Sequence, residues 1–186
     1  IFNGTSNYIL SSMDKENKSF YEVLKNAQKL GYAESNPTSD LNGDDVASKL
    51  KILSSLCFNS FLNKNIHVEG IKDIDKDDIN YAKRLGYKIK LLGYAELIGK
   101  NIFQRVHPTL IRNSSYVGSI DGVLNAVIID GSPVGQSIIQ GEGAGPAATT
   151  SALISDISSI LRGNVKFPFS ISNNCLLYTS PSPRDL

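Results

Sequence analysis

The sequence is poor in several residue types, and each shortage excludes a class of protein. Its 186 residues include no tryptophan, one methionine, two cysteines and two histidines. Two cysteines cannot form a disulfide framework, and so few cysteine and histidine ligands argue against a structural zinc site, so we predict no metal site. No apolar run approaches the roughly 18 residues that a membrane-spanning helix needs.

An excess of charge of one sign is also lacking. The 19 lysines and arginines nearly balance the 18 aspartates and glutamates, which leaves a formal net charge of +1. This balance provides no broad basic face for nucleic acid and no polybasic patch for a membrane surface, so we predict neither partner. With 41% apolar and 20% charged residues, the composition is that of an ordinary globular protein, and the length suits one domain.

The two ends of the chain look unlike those of a complete protein. The first residue is Ile1 rather than methionine, and no signal-peptide pattern follows it. The last residues, 175–186, contain Ser-Pro pairs and follow neither helical nor strand periodicity. We therefore interpret 1–174 as a domain cut from a longer protein and 175–186 as a disordered or non-native tail.

The spacing of apolar residues predicts helices in the first half of the chain. Ser19 and Glu22 form a capping-box pattern at the start of the second of them. Helical periodicity covers residues 5–13, 20–30, 44–58 and 77–85, with a loop at 34–43.

From residue 87 onwards the pattern changes to that of strands. Two hairpins are predicted, 87–97 with 102–111 and 124–130 with 134–140, and a helix follows over 147–161. Helices, then a largely antiparallel mixed sheet, then a closing C-terminal helix indicate an α+β fold rather than a doubly wound sheet.

The helix predicted at 44–58 carries two charged residues within its apolar face. Asp45 and Lys49 are four residues apart, so they are neighbours on a helix surface and can pair. A buried ion pair that is only structural, or a lysine that extends out of the core, explains this pattern. A catalytic lysine also explains it, because a positioned lysine can deliver a proton to a developing alkoxide.

Four acidic residues precede or open this helix, namely Glu34, Asp40, Asp44 and Asp45. They suit a solvated loop, with Asp44 favoured by the helix dipole. Alternatively, the other three form a negative pocket for the ammonium group of a small amino acid.

Several short segments resemble homoserine dehydrogenases, and they occur in the order that this family has. The densest are 32–37 (Tyr-Ala-Glu-Ser-Asn-Pro), 40–43 (Asp-Leu-Asn-Gly) and 45–49 (Asp-Val-Ala-Ser-Lys). Similar segments lie at 3–10, 106–110, 122–126 and 141–146, so the resemblance spans about 1–170.

The resemblance implies roles for the charged residues near the third predicted helix. Lys49 would be the acid and base of the reaction, with Asp45 as its partner at the substrate. Glu34 would bind the amino group of the substrate, and Asp40 would lie nearby.

The same resemblance implies which smaller groups line the site. Gly4 and Thr5 would contact the substrate, and the carbonyl of Tyr32 would help to hold its ammonium group. Gly143 and Gly145 would let their loop approach the nicotinamide of the cofactor, although a glycine-rich turn before a helix explains them too.

The implied reaction is the NAD(P)-dependent interconversion of L-homoserine and L-aspartate 4-semialdehyde in a cytoplasmic homodimer or homotetramer. The chain has no Gly-x-Gly-x-x-Gly after a first strand, so the main NAD(P)H-binding domain would be missing and the chain alone would be inactive. Two alternatives stay open: another NAD(P)-dependent dehydrogenase of amino-acid metabolism, and a non-catalytic dimerisation module.

Overall fold

The computed structural model describes residues 1–59 and 66–163. Its first half is helical, as predicted, apart from one short strand. The elements are α1 (Gly4–Glu16), α2 (Phe20–Lys29), α3 (Thr38–Asn42), α4 (Asp44–Cys57), β1 (His67–Val68) and α5 (Lys76–Arg84). The predicted capping box is present at α2, where Ser19 and Glu22 each bond to the other's backbone.

The second half contains the two predicted hairpins and the last helix. The elements are β2 (Tyr87–Ile98), β3 (Asn101–Arg112), α6 (Tyr116–Ser119), β4 (Leu124–Gly131), β5 (Gly135–Glu142) and α7 (Pro146–Leu161). The first sheet has the order β1-β3-β2, with β1 parallel and β2 antiparallel to β3, and β4 pairs antiparallel with β5. The α+β class is therefore confirmed.

The main core lies between the helices and the first sheet. Its fully buried residues include Ile9 of α1, Val46 of α4 and Val106 of β3, each at 0% exposure. Burying a side chain of this size contributes roughly 1.5–3 kcal/mol, so these contacts hold α1 and α4 against the sheet.

One sequence prediction needs correction. The segment 34–43, predicted to be a loop, contains α3, whose five residues are too few to show helical periodicity. The helix α7 lies where it was predicted, and none of its residues is buried against the described part of the chain. Apolar side chains such as Leu153 and Ile157 are therefore exposed.

A buried lysine connects α1 to the sheet. Lys90 of β2 is 1% exposed, and its ammonium group donates to Asn7 Oδ1 (2.9 Å), to the carbonyl of Ile120 (2.6 Å) and to Asp121 Oδ1 (2.9 Å). Asn7 also donates to the carbonyls of Ile120 and Leu124. These bonds fix the start of α1 relative to β2 and the connection that leads into β4.

The charges of this cluster shift the pKa values of its members. Burial lowers the pKa of Lys90, although the bond to Asp121 opposes that change. Burial alone would raise the pKa of Asp121, but its hydrogen bonds to Lys90, Lys15 and Lys88 hold it at about 2. The carboxylate therefore stays ionised at neutral pH, where it balances the buried ammonium group.

None of the helices among the described residues is both long enough and apolar enough to cross a membrane. Within the same residues, no three His, Cys, Asp or Glu side chains are grouped so that they could hold a metal ion.

Candidate active site

The N-terminus of α1 lies against two of the acidic residues that the sequence singles out. Asn3 caps the helix, because its Oδ1 accepts a hydrogen bond from the backbone N–H of Ser6 (2.8 Å). Its Nδ2 donates to Asp40 Oδ1 (2.6 Å) and to Asp45 Oδ2 (2.9 Å). One amide thus brings together carboxylates from α3 and α4.

Lys49 is the next member of this group. Its ammonium group donates to Asp45 Oδ2 (2.8 Å) and to the carbonyl of Phe2 (3.0 Å). The predicted pairing of Lys49 with Asp45 is therefore present, but the expected burial is not: the two side chains are 45% and 28% exposed. The apolar face of α4 is wider than the face that the core covers, and Ile52 and Leu53 line an open cleft beside Lys49.

This cleft has a volume of about 400 Å³. Lys49, Ile52 and Leu53 line it from α4, and Asn125 and Gly143 line it on the side of the second hairpin. The cleft can therefore hold a small organic group next to the ammonium of Lys49, with largely apolar walls that strengthen a charge interaction there.

Asn125 places an unpaired polar atom in the cleft wall. Its Oδ1 is buried and has no hydrogen-bond partner among the described residues, and its Nδ2 donates weakly to the carbonyl of Phe2 (3.4 Å). A Cβ at Gly143 would lie 1.6 Å from Asn125 Nδ2, so only glycine leaves room for this amide. An unpaired buried acceptor is costly and favours a ligand with an N–H or O–H donor.

The expected substrate residues at the start of α1 are arranged as follows. Thr5 Oγ1 donates to the carbonyl of Tyr32 (2.7 Å), which leaves that oxygen with one free lone pair. A Cβ at Gly4 would lie 2.8 Å from the carbonyl oxygen of Val123, so this glycine allows close packing of α1. Gly4 and Thr5 are next to Asn3 in sequence and therefore close to the two carboxylates.

Two of the expected site residues contact neither the carboxylates of Asp40 and Asp45 nor the cleft. The carboxylate of Glu34 is exposed and makes no hydrogen bond or ion pair with another described residue, and its backbone carbonyl accepts from Gln28 Nε2 (3.1 Å). Gly145 precedes α7 with φ of 110° and does not line the cleft. The arrangement itself supplies a proton donor, a negative pocket and a neighbouring cleft, which together suit acid–base chemistry on a small ammonium compound.

The comparison with known sequences decides the family. The family model for homoserine dehydrogenase matches residues 1–158. The chain belongs to the homoserine dehydrogenase family. The resemblance inferred from the short segments is confirmed.

Curated homoserine dehydrogenases are similar to this chain over most of its length. The protein from Neisseria gonorrhoeae is 48% identical over 163 residues, which are 87% of this chain and 38% of that protein. The protein from Helicobacter pylori is 49% identical over 163 residues, with 87% of this chain and 39% of that protein covered. The chain thus spans well under half the length of the curated homoserine dehydrogenases that it matches.

A solved structure shares the fold. The homoserine dehydrogenase from Thiobacillus denitrificans aligns with a TM-score of 0.84 and 44% identity, over 88% of this chain and 38% of that one. The α+β arrangement described above is therefore that of a segment of a homoserine dehydrogenase.

Two residues that shape the site could not be identified as site residues from the sequence. Asn3 lies in the segment 3–10 that resembles the family, but nothing local indicates that it contacts acids on α3 and α4. Asn125 lies in the segment 122–126, and the only signal for it is the glycine at 143 opposite. Both contacts depend on pairs that are distant in sequence.

Proposed function

We propose that the intact enzyme containing this chain interconverts L-homoserine and L-aspartate 4-semialdehyde with NAD(P)H as cofactor. The observation that carries the proposal is the ammonium group of Lys49, held by Asp45 and the carbonyl of Phe2 at the mouth of the cleft. Membership of the homoserine dehydrogenase family supports the choice of substrate.

The cleft offers a fit for the nicotinamide end of such a cofactor. The carboxamide of a nicotinamide has N–H donors, and the buried Oδ1 of Asn125 is an acceptor without a partner among the described residues. Gly143 leaves space for that amide, and we assign Asn125 and Gly143 to the nicotinamide side. When bound, the cofactor supplies hydride-transfer chemistry.

Lys49 handles the proton of the reaction. In the reducing direction its ammonium group donates a proton to the substrate oxygen as negative charge develops there, and in the oxidising direction its amine accepts that proton. Asp45 and the carbonyl of Phe2 hold the nitrogen in place, which removes much of the entropic cost of alignment.

The acidic residues provide for the amino group of the substrate. We assign the ammonium of homoserine to Glu34 and Asp40, with the free lone pair of the Tyr32 carbonyl as a further acceptor. Thr5 holds that carbonyl in position with its 2.7 Å hydrogen bond. As the resemblance implies, we assign Gly4 to contact with the substrate. We assign Gly145 to the loop that approaches the cofactor.

The apolar surface of the chain supports a homo-oligomer. Exposed aliphatic side chains lie along α7, among them Ile154 and Ile157, and on both faces of the β4–β5 hairpin, among them Ile128 and Ile139. Exposed apolar side chains in this number favour association with further protein. We propose a homodimer or homotetramer, to be distinguished by analytical ultracentrifugation.

A direct assay tests the function. The intact enzyme should reduce NAD⁺ or NADP⁺ in the presence of L-homoserine and oxidise the reduced cofactor with L-aspartate 4-semialdehyde. Activity on a different hydroxy amino acid, with none on homoserine, would identify another dehydrogenase of amino-acid metabolism. Absence of any turnover with tight self-association would instead indicate a non-catalytic dimerisation module.

Glu34→Gln should weaken substrate binding. A carboxylate that holds an ammonium group makes a charge-assisted hydrogen bond worth roughly 1.5–3 kcal/mol, so kcat/KM for homoserine should fall about 10- to 150-fold. The KM for NAD(P)⁺ should hardly change, because the main cofactor contacts lie elsewhere. Steady-state kinetics with each substrate varied in turn measures both values.

Asp44→Asn is the matched control, because it removes the same charge from the first turn of α4, where Asp44 has no bond to the site. Its kcat/KM for homoserine should stay within about twofold, since Asp44 is exposed and surface substitutions away from a site usually change free energies by about 0.5 kcal/mol or less. A large increase in the cofactor KM of Glu34→Gln, with the homoserine KM unchanged, would contradict the role of Glu34.

Gly143→Ala should weaken cofactor binding. The new methyl group would displace the amide of Asn125, which lies 1.6 Å from the Cβ position, and the loss of one hydrogen bond corresponds to an increase in the cofactor KM of about 3- to 10-fold. Gly131→Ala is the control, because a Cβ there meets nothing within 4 Å. Equal cofactor KM values in the two variants would show that Asn125 does not face the nicotinamide.

A further inference from the structure

We propose that Asn3 is a positioning residue for the acid–base and ammonium-binding groups, beyond its role as a helix cap. Its side-chain amide holds Asp40 and Asp45 in a fixed arrangement and, through Asp45, positions Lys49. The catalytic role of this arrangement rests on the proposed function, but the hydrogen bonds themselves are independent of it.

The hydrogen bonds of Asn3 allow its side-chain amide only one orientation. The residue is 5% exposed, and its Oδ1 is committed to the backbone N–H of Ser6 at 2.8 Å. Both N–H groups of the amide are then free to point at Asp40 (2.6 Å) and Asp45 (2.9 Å). The reversed orientation would put a carbonyl oxygen against two carboxylates, so the helix cap fixes which end of the amide faces the acids.

The amide offsets the repulsion between the two acids. Asp40 has no ion-pair partner among the described residues, so Asn3 is the donor that stabilises its charge there. Asp45 Oδ2 accepts from both Asn3 and Lys49. A continuous series of hydrogen bonds therefore runs from Asp40 through Asn3 and Asp45 to Lys49, and it couples the ammonium pocket to the proton donor.

Two substitutions separate positioning from capping. Asparagine, aspartate and serine are about equally good N-cap residues, so Asn3→Asp and Asn3→Ser both keep an acceptor for the N–H of Ser6. Both remove the two N–H donors, and Asn3→Asp adds a third negative charge next to Asp40 and Asp45. Loss of capping therefore cannot explain a shared defect of the two variants.

Kinetics on the intact enzyme gives the first test. In Asn3→Ser, kcat/KM for homoserine should fall about 10- to 100-fold, because misplacement of catalytic groups by about 1 Å costs up to about 100-fold, with the cofactor KM within about twofold. In Asn3→Asp the loss should be larger, and the acidic limb of the pH profile of kcat/KM should move to higher pH. Like charges at this distance disfavour ionisation of the cluster formed by Asp40, Asp45 and the new carboxylate, with Lys49 as the nearby cation.

Melting temperature against pH gives a second test that needs no substrate. From about pH 4 to pH 7, Asn3→Asp should become progressively less stable than the wild type, because its three carboxylates ionise close together. Asn3→Ser should show a smaller loss, most of it present once Asp40 and Asp45 are ionised, because it removes their donor but adds no charge. If the wild-type enzyme does not use homoserine, the proposed function fails, while this measurement still tests whether the side chain at position 3 faces and stabilises the two carboxylates.

Wild-type kinetics and a pH-independent melting difference in both variants would overturn the proposal, because Asn3 would then act as a helix cap alone. The shifted pH profile and the growing instability of Asn3→Asp would support it.

Discussion

Lys49→Ala in the intact enzyme is expected to lower kcat by roughly 10²- to 10⁴-fold, the range typical of a positioned acid–base group. The ammonium of Lys49 is bonded to Asp45 and to the carbonyl of Phe2, and Lys49 is the one lysine among the described residues that line the cleft. Single-turnover measurement of hydride transfer separates this effect from product release.

Two further variants show whether Lys49 transfers a proton or only provides charge. Lys49→Arg keeps a cation near Asp45, but a guanidinium does not release its proton, so turnover should stay low while homoserine still binds. Lys51→Ala changes a lysine on the same helix that does not line the cleft, and activity should change little. Full activity in Lys49→Arg, or equal losses in Lys49→Ala and Lys51→Ala, would contradict the assignment.

Signals between near neighbours in sequence were sufficient to predict most elements. The capping box of Ser19 and Glu22 marked the start of α2, and the change from helical to alternating spacing at residue 87 marked β2. The i,i+4 spacing of Asp45 and Lys49 also predicted their contact correctly, because that contact lies within one helix.

The exposure of that pair could not be predicted from the same spacing. An apolar face on a helix indicates that something packs against it, but not whether the core or a ligand in a cleft does so. On α4 the core takes Val46 and Leu50, while Ile52 lies at 56% exposure beside the cleft. One part of the apolar face of α4 therefore packs in the core, and the other part lines the cleft.

Contacts between distant segments account for the rest. Asn3 meets Asp40 and Asp45 only because the chain folds the start of α1 against α3 and α4. Lys90 alternates with apolar neighbours along β2 and would be placed on a polar face by its period, yet it is buried against Asn7 and Asp121. Neither partner can be identified from local spacing.

Replacement of the buried Lys90 is expected to lower the free energy of unfolding by a large amount. Lys90→Met keeps the volume of the side chain but leaves Asn7 Oδ1 without a donor. It also removes one of the two donors to the carbonyl of Ile120 and the buried hydrogen bond to Asp121. Leaving a buried acceptor unsatisfied costs roughly 1–3 kcal/mol and a hydrogen bond to a charged group is worth roughly 1.5–3 kcal/mol, so the two losses together are a large share of the stability of a typical domain. Lys88→Met is the control, because Lys88 also pairs with Asp121 at 3.1 Å but is 20% exposed, and about 1 kcal/mol or less should be lost.

The stability of the protein at low pH should also depend on the cluster of Lys90 and Asp121. The pKa of Asp121 in the folded protein, about 2, lies below the unfolded value of 3.8, so its contribution to stability is present above pH 3.8 and is lost as the pH falls towards 2. Protonation of Asp121 would leave the ammonium of Lys90 buried without its counter-charge. The wild type should therefore lose stability steeply between about pH 4 and pH 2, and Lys90→Met less steeply, in denaturation curves of the intact enzyme. Equal stability of Lys90→Met and Lys88→Met at neutral pH, with identical slopes in acid, would show that the buried bonds of Lys90 do not hold α1 to the sheet.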